Sequence, residues 1–111
     1  MKYLCLVYGT EPAMASIPDR DCVAWGETLK KRGHYLAAES LQSTHTAKTV
    51  RVREGKAIVT DGPFTESKEF LAGFYLIDAA TMDEAVAIAS KIPPARAGGV
   101  EVRPVRDLQP L

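Results

Sequence analysis

The sequence predicts an α+β fold in which two helices cover a sheet and a β-hairpin is inserted between the two halves. Three observations predict it. Residues 2–8 and 71–78 are apolar on both alternating faces, the pattern of strands in the middle of a sheet. Residues 18–32 and 81–92 carry apolar side chains at helical spacing. Between these segments, residues 46–53 and 56–60 face each other across Glu54-Gly55, a hairpin sequence.

In the first strand, Tyr3, Cys5 and Val7 form one face and Leu4, Leu6 and Tyr8 the other. A loop over residues 9–12 follows. Ser16, three residues before Asp19, with Pro18 near the first turn, predicts a helix start, and Cys22, Trp25, Gly26 and Leu29 give its apolar stripe. Lys30, Lys31 and Arg32 suit the negative helix end, and Gly33 suits a left-handed exit. Residues 35–40 form a weakly patterned second strand and 41–46 a loop. In the hairpin, Val50 and Val52 alternate with Arg51 and Arg53, which leaves one face partly solvated. Asp61-Gly62-Pro63-Phe64 is a turn by composition, and 65–70 is a loop or a helical turn. Thr81 and Glu84 make a capping box, Ala85, Ile88, Ala89 and Ile92 the second stripe, and Pro93-Pro94 ends the helix. Residues 99–104 are the last strand. Two βαβ-like passes around an extra hairpin give a ferredoxin-like βαββαβ core.

The 111 residues fit a single domain spanning 1–111. Fourteen Lys and Arg balance fourteen Asp and Glu, so charge gives no reason to expect nucleic acid or an anionic membrane as a partner. The apolar run over residues 3–8 is far short of the roughly 20 residues a membrane helix needs. Two cysteines, Cys5 and Cys22, are too few for a disulfide scaffold or a four-ligand zinc site, and the default location is cytoplasmic. His34 and His45 have no second ligand at metal spacing, so neither a metal nor an organic cofactor is expected. Two helices can lie on only one face of the sheet. The apolar face left over predicts a homodimer packed sheet to sheet through the helix-free face.

Residues 59–69, Val-Thr-Asp-Gly-Pro-Phe-Thr-Glu-Ser-Lys-Glu, are not explained by generic folding needs. The segment resembles the signature of the YCII-related (YciI-like) proteins of the DGPF type. The resemblance extends to Met1-Lys2-Tyr3, to Glu39 with Leu41 and Gln42, to Thr49-Val50-Arg51, and to residues 73–77 and 100–104. It implies a dimeric α/β-barrel built from ferredoxin-like protomers. YciI-like proteins carry a His-Asp pair whose histidine lies in the region of the first helix. Residues 18–32 contain no histidine here, a departure from that pattern.

Candidate site residues follow from the residue types. Asp61 can act as a general base if its turn lies beside a pocket, though Asp before Gly-Pro also serves the turn itself. Glu39 closes an otherwise apolar strand and is the second catalytic candidate; an Arg51 or Arg53 partner would make it structural. Tyr8, Phe64, Glu66, Lys68 and Tyr75 are candidates for ligand contact, against a plainer role as core aromatics or a solvated charged face. No G-x-S-x-G, Walker-type or G-x-G-x-x-G motif is present. The expected function is a homodimer that binds a small organic ligand near the DGPF loop and possesses, at most, cofactor-independent acid/base (lyase-like) chemistry. The alternative is a non-catalytic accessory or regulatory module, since DGPF-type proteins resemble partners of extracytoplasmic-function sigma factors.

Overall fold

A computed structural model describes residues 1–110. The chain runs β1 (Lys2–Gly9), α1 (Glu11–Ala15), α2 (Asp19–Lys31), β2 (Tyr35–Ser40), β3 (Lys48–Arg53), β4 (Lys56–Asp61), β5 (Phe70–Asp78), α3 (Met82–Ala89) and β6 (Gly99–Pro104), with 3-10 turns at Thr44–Thr46 and Pro93–Arg96. Four strands form one antiparallel sheet in the order β2-β5-β1-β6, while β3 and β4 pair only with each other. The fold is α+β, and its strand order is compatible with a ferredoxin-like core. The two strands that are apolar on both faces, β1 and β5, are the inner pair.

Alternation along these strands divides the side chains between two environments. Tyr3, Cys5 and Val7 of β1, with Tyr75 and Ile77 of β5, are buried against Leu29 of α2 and against Ala85, Ile88 and Ala89 of α3. On the opposite face, Leu4 lies across from Leu76 and Leu6 across from Phe74. These side chains are only half-buried, because no helix among the described residues covers this side. On β6, Arg103 and Glu101 sit opposite Leu4 and Leu6 and form an ion pair with each other.

The first connection differs from the expected loop. Thr10 caps a helical turn over α1, its hydroxyl accepting the Ala13 N–H at 3.2 Å, and a proline stands at the first turn, where no N–H is needed. Ser16 therefore ends α1 instead of starting α2, its Oγ donating to the Ala13 carbonyl at 2.6 Å. Pro18 is the residue that precedes α2, with no side-chain cap, and Asp19 and Asp21 supply negative charge to its first turn. The exit of α2 is as the sequence predicts: Gly33 is left-handed (φ 76°), its N–H reaches the Lys30 carbonyl, and the His34 N–H reaches the Leu29 carbonyl at 2.9 Å. Thr81 caps α3 through the Glu84 N–H, and Glu84 accepts the Ala80 N–H in return. The helix stops at Ala89, three residues short of Ile92, which is still buried.

β3 and β4 form an arm that projects from this body. Glu54 and Gly55, both at positive φ (52° and 76°), make the tight turn, and every arm side chain except Thr49 is exposed. The radius of gyration, 15.8 Å, exceeds the roughly 13 Å of a compact chain of this length for that reason. Removing a side chain from the body is expected to be costly and removing one from its surface cheap. Leu29→Ala, at a fully buried position, should lower the unfolding free energy in urea by about 2–5 kcal/mol, whereas Val86→Ala on the exposed side of α3 should change it by about 0.5 kcal/mol or less.

Candidate functional site

A cleft of about 670 Å³ opens between the helical layer and the β2/β5 side of the sheet. Its floor is Val7, Ala38, Gly73 and Tyr75, and its walls include Met14 of α1 with Cys22 and Gly26 of α2. The cleft exists because small residues stand where the layers would otherwise interdigitate. Gly73 lies opposite Val7 on the inner strand pair, and a Cβ there would come 2.8 Å from the Glu39 carbonyl oxygen, so β2 can approach β5 only over a glycine. Gly26 is buried in α2, and a Cβ there would meet nothing closer than the Tyr35 ring at 3.8 Å.

The charged groups of this cleft, Glu11, Asp19, Glu27, Lys30 and Glu39, stand exposed at its rim, and polar groups in its interior are few. The Tyr75 hydroxyl donates to the Cys22 carbonyl at 3.4 Å. Burial pushes the Tyr75 phenol well above its ordinary range, and the neighbouring Cys22 adds to the effect. Burial likewise raises the Cys22 thiol, outweighing the nearby Tyr75 hydroxyl, which favours its thiolate. Both groups are therefore neutral at physiological pH and can offer hydrogen bonds. At the rim, Ser43 donates to Glu11 at 3.3 Å, and Lys30 is paired with Glu27 at 3.2 Å while sitting 4.8 Å above the Tyr35 ring. The interior can take an apolar body; the rim is polar.

A second cleft, about 850 Å³, lies beside the Asp61–Phe64 turn. Tyr8 of β1, Phe70 and Leu71 of β5 and Glu101 of β6 contribute to it, with Phe64 from the segment that follows the arm. It opens on the helix-free side of the sheet.

The residues singled out in the sequence are divided among three places. Glu39 and Tyr75 line the helix-side cleft, and Tyr8 and Phe64 line the second. Asp61 lines neither: it is exposed at the root of the arm, with its carboxylate 2.5 Å from the Lys48 ammonium. Glu66 and Lys68 are exposed and line neither cleft. Glu39 is exposed and has no ion pair among the described residues. Arg51 instead lies 4.6 Å over the Phe64 ring, and the Arg53 guanidinium donates to the Val52 carbonyl. His34 accompanies the α2 exit, its Nδ1 2.8 Å from the Asp78 carbonyl, and His45 is exposed in the 3-10 turn. Cys22, Gly26 and Gly73 are cleft residues that residue chemistry did not single out. The signal available for Gly26 was a glycine inside an apolar helical stripe.

A four-stranded antiparallel sheet, helices on one face and a cleft between the layers define a class of small α+β proteins. Within that class, the family model of the YCII-related domain matches residues 1–109, and the chain belongs to the YCII-related family. It is similar to an uncharacterised protein of Rhizobium meliloti (strain 1021), 47% identical over 93 residues that cover 82% of this chain and 75% of the relative.

The two thiols differ in setting, and pH should reveal it. Burial raises Cys5 from its ordinary value of 9.0 to about 11. The unfolded chain then loses this proton first as pH climbs, so the stabilising effect is complete below about pH 9 and is lost toward pH 11. Urea unfolding followed between these values should show a steeper loss of stability for the native chain than for Cys5→Ala, the difference amounting to at most about 2–3 kcal/mol.

Proposed function

We propose that the chain is a small-molecule-binding protein that works as a homodimer, with its ligand held non-covalently in the helix-side cleft and its helix-free sheet faces packed together. The dimeric α/β-barrel implied by the resemblance is one such assembly. One observation carries the binding half of this proposal. A glycine in the middle of a helix costs about 1 kcal/mol relative to alanine, and the packing around Gly26 leaves room for the methyl group. The glycine is thus not required by the fold. The space it leaves belongs to the cleft.

Binding is better supported than acid/base catalysis. Asp61 is committed to Lys48 and Glu39 is on a different element, while Cys22 and Tyr75 hold their protons. Glu11, Asp19, Glu27, Lys30 and Glu39 also line the helix-side cleft, but all five are exposed at its rim and Lys30 is paired with Glu27. The assembly half rests on Leu4, Leu6, Phe74 and Leu76, an apolar group on the inner strands that is only half-buried and over which no helix lies among the described residues.

A metabolite library screened by thermal shift supplies the test, because a ligand present at about 100 times its dissociation constant adds about 2.7 kcal/mol. Gly26→Ala should raise the ligand-free stability by about 0.5–1 kcal/mol and weaken the best hit. A hit that binds Gly26→Ala and the bulkier Gly26→Val as well as the native chain would place binding elsewhere. For the assembly, light scattering at micromolar concentration should return twice the chain mass, and Leu6→Lys should shift it toward the monomer; a monomeric native chain refutes it.

A further inference from the structure

Gly9 is the last residue of β1, a position where glycine costs strand stability. Its backbone does not call for glycine, since the left-handed glycines of the chain are Gly33, Gly55 and Gly62. What calls for it is Met14 of α1. A Cβ on Gly9 would collide with Met14 Cε and stand 3.1 Å from Sδ and 3.3 Å from Cγ, and these three atoms are its nearest neighbours. Gly98, just before β6, forms the other side of the seat: a Cβ there would come 3.1 Å from the same Cε. Gly98 is also needed for the close approach of the Tyr8 carbonyl, whereas Gly9 makes room for Met14 alone.

The seat fixes where Met14 stands relative to the helix-side cleft. In the strand order β2-β5-β1-β6, the floor of the cleft lies chiefly on β2 and β5. Gly9 and Gly98 belong to β1 and to the approach to β6, the other half of the sheet. Met14 lines the cleft and packs against the buried core, so it closes the cleft on the side away from the β2 edge. The Thr10 cap holds α1 in this place, and Glu11 ties it to the connection after β2 by accepting the Ser43 hydroxyl at 3.3 Å. Between Met14 and the charged rim, Val7, Cys22, Ala38 and Tyr75 make the interior apolar.

We propose that Met14 is the specificity-determining residue of this cleft and that the ligand is an amphiphile, its apolar tail running inward to the Met14 thioether and its polar head staying at the charged rim. This rests on the cleft being the binding site and deepens that reading by naming the class of ligand and the residue that limits its length. A tail gains affinity with each methylene it buries, about 4-fold per group, until it meets the end wall, beyond which an added group has no apolar surface to enter. The polarisable sulfur makes that wall a favourable contact for an aliphatic or an aromatic tail end. A methionine side chain free to turn would set no sharp limit, and the glycine seat removes that freedom.

Heteronuclear NMR titration with the primary alkanols from butanol to decanol tests this, each variant being checked for native circular dichroism. In the native chain the alkanols should shift amides of cleft residues such as Gly26, Ala38 and Gly73, and affinity should rise by about 4-fold per methylene up to a limiting length and then level off. The Met14 side chain reaches three atoms beyond Cβ, so Met14→Ala should move that limit outward by about two or three methylenes, while Met14→Leu should keep it within about one. Met82→Ala, at a position that lines neither cleft, should leave it unchanged. Gly9→Ala displaces only the flexible end of Met14, so it should shift the limit in the native background and have no effect in Met14→Ala. A limit that stays fixed in Met14→Ala, with the cleft amides still shifting, overturns Met14 as the end wall and leaves the cleft as a binding site. If no alkanol shifts a cleft amide, the amphiphile is overturned; if the metabolite screen also yields no cleft ligand, the binding site falls with it.

Discussion

Two helices can cover only one side of a sheet, and the rest of this molecule follows from that limit. Helices are about 10 Å across and the four-stranded sheet about 19 Å wide, so α2 and α3 fill one face and no helix among the described residues remains for the other. The inner strands β1 and β5 nevertheless place apolar side chains on both sides. On the covered side, burial reaches completion at Cys5, Leu29 and Ile77. On the open side, Leu4, Leu6, Phe74 and Leu76 are only half-buried, beside Glu101 and Arg103 of β6. Most of the chain connecting β2 to β5 extends outward as the arm, and only its two ends, around Thr44 and Phe64, come beside that face at Tyr8 and Leu71.

Much of this was legible because strand and helix periods report which side of an element faces the core. The doubly apolar inner strands, the left-handed exit at Gly33 and the Thr81 cap are each encoded within a few residues, and each appears where the pattern places it. The start of α2 was harder. Ser16 and Thr10 are both good caps, six residues apart, and the sequence does not say which one a helix will follow. Thr10 has a proline in the turn it opens, and Pro18 lacks the N–H that a continuing first helix would need, so the segment divides into two helices.

The site was less legible than the fold for a different physical reason. A period fixes direction along one element, but a cleft depends on the spacing between layers, which is set by the side chains that are missing. Gly26 shapes the helix-side cleft by absence, and Gly73 lets β2 close on β5 beside it. A search for reactive groups finds Asp61 and Glu66, which the fold leaves at the surface, and passes over glycines. Tyr75 was found, through its position on a strand rather than through reactivity. Its hydroxyl, like the Cys22 thiol, is held in the protonated form by the burial that makes the cleft apolar, so the interior is suited to recognition by shape and a few neutral hydrogen bonds.

The arm shows how local chemistry can prepare a surface for contact without providing that contact. Its turn at Glu54-Gly55 carries the twist that hairpin strands require, and its root is pinned by the Gly62–Ala47 and Thr49–Gly62 hydrogen bonds. Arg51 lies over Phe64, so the one large aromatic of the turn, 73% exposed, is partly shielded on the arm's charged side, while the valine side is left bare. A rigid root lowers the entropy lost when such an element docks, because its direction is already fixed before contact. The two faces differ in what they give to water: Arg51, Arg53 and Lys56 stand with Ile58 on one, while Val50, Val52, Ala57 and Val59 stand on the other with only the paired Lys48 and Asp61 as charges, so the second presents the more apolar surface.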